Sequence, residues 1–92
     1  MIDKIKQEVA KEFGVTVEDL ESRSRKREFT TPRLFAIYLC KKLTRHSYRY
    51  LGQHFGNRDH STVNHANTLL KNWLSIYPDF KAKEEAIVKA LK

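Results

Sequence analysis

An all-α domain of about six helices is the architecture that this 92-residue sequence predicts, and three observations carry it. Apolar residues recur at three- and four-residue steps along nearly the whole chain. Residues suited to helix caps stand where those stretches begin. No segment alternates apolar with polar residues as a half-buried strand does, and no repeat or low-complexity linker interrupts the pattern.

The first stripe is Ile2, Ile5, Val9 and Phe13, with Lys4, Lys6, Glu8, Lys11 and Glu12 between them, which describes an amphipathic helix. Gly14 follows where a left-handed residue ends a helix. Thr16 with Asp19 makes a capping-box pattern that opens a short second helix, with Val17 and Leu20 facing inward. Ser22 to Arg27 has no apolar period and carries Arg23, Arg25, Lys26 and Arg27, so residues 22–29 read as a solvated basic loop. Thr30-Thr31-Pro32 restarts a helix, a threonine serving as N-cap and the proline taking the first helical position, where a missing amide hydrogen is no loss. From Leu34 to Leu43 the chain is apolar on more than one face: Phe35, Leu39 and Leu43 make one stripe, and Leu34, Ile37, Tyr38 and Cys40 widen it. This is the central buried helix.

Ser47 then caps a short helix bearing Tyr48, Leu51 and Phe55, and Gly56-Asn57 supplies two residues that tolerate positive φ in a sharp turn. Asp59 caps the next helix, whose stripe of Val63, Ala66, Leu70, Trp73 and Tyr77 runs to Pro78. Its other face is polar, with His60, Ser61, Asn64, His65, Thr68 and Lys71. Asp79 opens a last helix with Phe80, Ile87 and Leu91 inward and Lys81, Lys83, Glu84, Glu85 and Lys89 outward.

Composition bounds what such a domain does. The length leaves room for one domain, residues 1–92. Eighteen Lys and Arg against eleven Asp and Glu give a formal charge of +7, which points to an anionic partner, nucleic acid ahead of a membrane surface. The single cysteine, Cys40, sits in the most apolar stretch, excludes an internal disulfide and points to a reducing, cytoplasmic setting. No apolar run reaches the roughly 18 residues of a membrane span, and Met1 to Ile5 has no signal-peptide block. With three glycines and no glycine-rich loop ending in Lys-Ser/Thr, nothing cradles nucleotide phosphates, so an autonomous ATPase is not expected. His60 and His65 stand five residues apart, about 140° from each other on a helix, and no carboxylate cluster accompanies them, which leaves no metal site, catalytic residue or cofactor.

A short helix, a glycine-containing turn and a longer helix with a polar start, about residues 47–75, make a helix-turn-helix arrangement. In that motif the first turn of the second helix faces base edges in the major groove. Arg58, Asp59, His60, Ser61 and Thr62 supply cationic, acceptor, donor and small hydroxyl groups suited to bases and phosphates. The basic loop suits a narrow minor groove, whose negative potential favours guanidinium groups.

The run Phe55-Gly56-Asn57-Arg58-Asp59-His60-Ser61-Thr62-Val63-Asn64-His65-Ala66 closely resembles the F-G-G-R-D-H-[ST]-T-V-x-H-A signature of the C-terminal DNA-binding domain of the bacterial replication initiator DnaA family. Ile2-Asp3, Val9-Ala10, Asp19-Leu20, the basic loop, Pro32-Arg33 and Leu43 to Ser47 fall in that family's order and spacing. The resemblance implies a TrpR-like helix-turn-helix with a preceding basic loop, binding double-stranded DNA at a DnaA box, consensus TTATCCACA, in or around replication initiation. It also implies roles: Arg25 in the minor groove; Asp59, His60 and Ser61 on bases; Arg33, Thr44, Arg58, Thr62 and His65 on phosphate or anchoring the helix; Lys41 and Arg27 as further backbone contacts. Tyr48-Arg49 stands where the family has Leu-Pro, and Asn57 where it has a second glycine. The family's ATPase module has no counterpart in these residues. The expected molecule is a non-enzymatic, nucleoid-associated monomer in isolation, whose partners are DNA and other initiation proteins. A stand-alone box-binding transcriptional regulator and a basic module for an acidic protein are the alternatives.

Overall fold

The computed structural model of the chain describes residues 1–92 and contains six helices and no strand. They are α1 (Ile2–Phe13), α2 (Val17–Glu21), α3 (Arg27–Leu43), α4 (Tyr48–Gln53), α5 (His60–Ile76) and α6 (Pro78–Ala90). Local chemistry sets most of their ends. Gly14 is left-handed at φ 69°, and the Val15 amide reaches back to the Ala10 carbonyl at 3.0 Å. Thr16 and Asp19 form both halves of the capping box, at 3.1 and 3.0 Å. The Ser47 hydroxyl accepts the Tyr50 amide at 3.1 Å at the start of α4.

Helix α3 lies at the centre, with Phe35, Ala36, Leu39 and Cys40 wholly buried among Ile5, Val9, Leu20, Leu51, Val63, Leu70 and Ile87. An aromatic chain crosses the core: Phe13 to Phe35 at 5.0 Å, Phe35 edge-on to Phe80 at 5.3 Å, and Phe80 to Trp73 at 5.7 Å. It joins α1, α3, α6 and α5 through rings that bury large apolar area in tilted or edge-on contacts.

Four features depart from the sequence expectation. Helix α3 begins at Arg27, because the Lys26 carbonyl already accepts the Phe29 and Thr30 amides, both at 2.9 Å. The loop therefore spans only residues 22–26, and Pro32 sits in the second helical turn, where it removes one hydrogen bond to the exposed Glu28. Lys6, expected on the outer face, is buried: its ammonium bonds the Glu21 carboxylate at 2.6 Å and the His54 carbonyl, and lies 4.6 Å from the centre of the Phe55 ring. Glu84, also expected outward, is buried and accepts from Lys81 at 3.0 Å and Lys42 at 3.4 Å, tying α6 to α3. Finally, α6 begins at Pro78 with Tyr77 as its N-cap, and Tyr77 and Leu43 are exposed, not core.

Candidate nucleic-acid interface

Helices α4 and α5 form the helix-turn-helix, and the turn between them is shaped by backbone demands. Gly56 at φ 80° and Asn57 at φ 56° are both left-handed, a conformation asparagine tolerates better than most residues. The Arg58 amide returns to the Gly52 carbonyl at 2.8 Å, and a Cβ on Gly52 would stand 2.0 Å from the Arg58 carbonyl oxygen. Only glycine lets the turn fold back this closely. A Cβ on Gly56 would likewise meet the Glu21 carbonyl oxygen at 2.7 Å, so the turn is pressed against the end of α2, where the basic loop begins.

The loop carries no apolar residue, and polar ties order it. The hydroxyls of Ser22 and Ser24 accept the amides of Ser24 and Lys26 at 3.3 and 3.2 Å. Arg33 reaches into the loop from α3: its Nε donates to the Leu20 carbonyl at 2.8 Å, and its terminal nitrogens donate to the carbonyls of Ser24 and Asp19 and to the Ser22 hydroxyl at 3.1, 3.2 and 3.2 Å. Arg33 is only 5% exposed. Four of its five N–H donors bond within the protein, to three main-chain carbonyls and the Ser22 hydroxyl, so beside the phosphate or anchoring role expected of it Arg33 positions the loop.

Two further arginines join the loop to the turn. Arg58, half-buried, donates to the Ser22 carbonyl at 3.0 Å, and Arg23 donates to the Gly56 carbonyl at 3.2 Å. Burial lowers the pKa of both Arg33 and Arg58; the neighbouring Arg58 adds to the effect on Arg33, and Arg23 to that on Arg58. A guanidinium stays charged in proteins, so this is a crowded positive site. The buried Nε of Arg58 has no partner.

Arg25, at the tip of the loop, is exposed and takes part in no ion pair. It lines a cleft together with Arg23, Arg58, Thr30 and Thr62. The tip of the loop and the start of α5 therefore face one open surface. On α5, His60, Ser61, Thr62 and His65 are exposed. Asp59 is the N-cap: its Oδ1 accepts the Thr62 amide at 3.0 Å, the Ser61 hydroxyl at 2.8 Å and the Thr62 hydroxyl at 3.1 Å. Those bonds, the Thr62 amide first and then the Ser61 and Thr62 hydroxyls, hold the Asp59 carboxyl below its ordinary pKa.

The remaining expected contacts are more scattered. Lys41 donates to the His46 carbonyl at 3.1 Å and lies over the Tyr48 ring, and the Thr44 hydroxyl bonds the Cys40 carbonyl, so both shape the connection from α3 to α4. Arg27 lies apart from the Arg25 cleft, in a groove with Trp73, Tyr77 and Phe80, because it belongs to α3 and not to the loop. A second cleft, lined only by polar and charged residues, adjoins the start of α5: Arg49, Gln53, Asn57, Arg58, Asp59 and His60. Arg49 and Gln53 have no role in the sequence reading. The four-residue step that puts them on one face of α4 was the available signal. No three His, Cys, Asp or Glu side chains gather as a metal site, and no helix is long and apolar enough to cross a membrane.

Removing the Arg33 guanidinium strands several buried carbonyls, so Arg33→Ala is expected to lower the unfolding free energy by about 3 kcal/mol. It should also speed amide exchange at Ser24 and Lys26; urea unfolding at the wild-type midpoint would contradict this role. For Asp59 the folded pKa lies below the unfolded one. The cap therefore contributes above about pH 4 and loses its contribution as pH falls through the folded value. Asp59→Asn, an uncharged residue that caps about as well, should keep most of the neutral-pH melting temperature and show a shallower acid decline, whereas Asp59→Ala melts lower at pH 7. Superimposable acid profiles for wild type and Asp59→Asn would count against this cap.

The family model for the bacterial DnaA protein helix-turn-helix matches residues 2–68. Similar proteins include the chromosomal replication initiator protein DnaA of Geobacter sp. (strain M21), 37% identical over 90 residues that make up 98% of this chain and 20% of that protein. The protein of the same name from Streptococcus mutans serotype c is 36% identical over 91 residues, 99% of this chain and 20% of its own. That from Magnetococcus marinus is 49% identical over 65 residues, 71% of this chain and 14% of its own. The chain thus spans about a fifth, or less, of the length of these relatives. With the helix-turn-helix geometry and a family match over most of its length, the chain belongs to the bacterial DnaA helix-turn-helix family.

Proposed function

We propose that this chain is a non-enzymatic domain that binds double-stranded DNA sequence-specifically, at sites of the DnaA-box type, and acts in the initiation of chromosomal replication. The observation that carries this reading is the cleft shared by the basic loop and the first turn of α5, lined by Arg23, Arg25, Arg58 and Thr62. With α5 in the major groove, a loop held beside its N-terminus lies over the adjacent backbone, and Arg25 is free to enter the minor groove. His60, with Ser61 and Asp59 beside it, offers donors and acceptors to base edges. Arg58, Thr62, His65 and the α3–α4 connection at Lys41 and Thr44 hold the backbone. The link to replication initiation is taken from the relatives' name and from the share of the chain that matches them.

Affinity then comes mainly from cationic contacts and selectivity from one helical turn and one loop arginine. With about five phosphates neutralised, binding should weaken a few hundred-fold between about 50 and 200 mM salt, at a slope near 0.9 per contact. His60→Ala should reduce discrimination at one base pair by roughly 1–3 kcal/mol. Arg25→Ala should weaken binding and erase a preference for A·T pairs beside the major-groove contacts. Titration of a TTATCCACA duplex against a shuffled duplex checks all three. Equal affinity for the two duplexes, or a flat salt dependence, would overturn the reading, and an acidic protein partner would then take the place of DNA.

A further inference from the structure

A cleft where α3, α4 and α5 meet shares no residue with the Arg25 cleft and is lined by Tyr38, Lys41, Lys42, Tyr48, Asn67 and Lys71, with no carboxylate among them. Three ammonium groups border it. Lys41 and Lys42 come from the end of α3, and Lys71 comes from α5, where it is exposed and takes part in no ion pair. Lys41 donates to the His46 carbonyl and Lys42 to the Glu84 carboxylate, but an ammonium has three donors, so each keeps N–H groups for a further acceptor. Glu84 does not cancel this charge, because it is buried and already accepts from Lys81 at 3.0 Å.

The second observation is Asn67. Its residue is only 9% exposed, yet its side-chain amide has no hydrogen-bond partner within the protein. An amide buried without a partner costs free energy, and this one lines the cleft that the three ammonium groups border. What satisfies all of these donors is a group that only accepts and has enough oxygens to meet them from two helices. Phosphate has that chemistry. The edge of a base pair, which sets donors beside acceptors, would leave donors facing donors.

We propose that this cleft binds a phosphate group, with Lys71 and the Asn67 amide as its main donors and Lys41 and Lys42 completing its charge. The inference goes beyond the duplex reading above, in which only Lys41 has a part. Two sources share this chemistry. One is a backbone phosphate outside the box, which the α3–α4 connection at Lys41 approaches. The other is a free phosphorylated molecule, since Lys71 stands roughly 16 Å along α5 from His60, beyond the depth of the major groove.

The test has two arms, each run on the full chain, on Lys71→Ala and on Lys71→Arg. In the first, inorganic phosphate is titrated without DNA while NMR follows the Asn67 side-chain amide, with chloride at matched ionic strength as the control. The wild-type signal should shift saturably with phosphate and not with chloride. Lys71→Ala should weaken that binding about five-fold, as expected for one solvent-screened charge contact, and Lys71→Arg should keep it. In the second arm the same proteins bind TTATCCACA duplexes with long or trimmed flanks. A salt slope that Lys71→Ala lowers by about one on the long duplex alone identifies a backbone phosphate as the source, whatever inorganic phosphate does. An unchanged slope beside a saturable Asn67 shift identifies a free phosphorylated molecule. The inference is overturned if phosphate moves Asn67 no more than chloride does and the slope stays unchanged. It is equally overturned if Lys71→Ala keeps the full phosphate affinity and the wild-type slope. A chain that binds neither duplex overturns the duplex reading alone, and the phosphate titration then decides this inference by itself.

Discussion

The arrangement of this domain depends on the Arg33 guanidinium and the oxygens that surround it. A buried guanidinium is costly unless its donors are matched. Here they are matched by three main-chain carbonyls and one serine hydroxyl, all within residues 19–24. The loop has no apolar side chain to bury, so hydrogen bonds are the means available to order it. The rigid centre of the molecule supplies them: Arg33 stands on α3, two residues before the wholly buried Phe35. A cation is thereby used inside the protein so that another, Arg25, is presented outside it.

Order in the loop matters for recognition because a flexible segment loses conformational freedom when it binds, and that loss is subtracted from affinity. Arg58 and Arg23 connect the loop to the helix-turn-helix through the Ser22 and Gly56 carbonyls. The same segment therefore sets where Arg25 lies relative to α5. The proximity of Arg33, Arg58 and Arg23 also leaves positive charge concentrated beside the cleft, a field that an approaching phosphate backbone relieves. At the start of α5 Asp59 caps the helix through one carboxylate oxygen, which accepts the Thr62 amide and the Ser61 and Thr62 hydroxyls.

Much of this fold is legible in the sequence, for physical reasons that can be traced to particular residues. Thr16 with Asp19, Gly14, Ser47, Gly56-Asn57 and Asp59 each act within a few residues of themselves, so local chemistry specifies them. The apolar stripe of α5 likewise identifies Val63, Ala66 and Leu70 as buried. Polarity misleads where a charged side chain finds distant partners. Lys6 is buried because its stem and ammonium cover the Phe55 ring and reach Glu21 and the His54 carbonyl, elements 15 and 48 residues away. Glu84 is buried because Lys42 reaches it from α3. Arg33 has the residue type of a phosphate contact and the surroundings of a core residue. Arg49 and Gln53 meet the start of α5 only in the tertiary fold, where they line one cleft with Asp59 and His60.

In the proposed complex the loop arginine and the first turn of α5 engage one duplex from two grooves. Site-directed cleavage tests it most directly, with an iron chelate attached to a cysteine introduced at position 25 or at position 61. The native Cys40 does not interfere, because burial removes it from solvent and pushes its thiol up to about 12. On a TTATCCACA duplex the account predicts sharp cuts from both positions within one helical turn, staggered across the minor groove for position 25 and across the major groove for position 61. Sharp cuts from position 61 with none, or only unregistered cuts, from position 25 would contradict it.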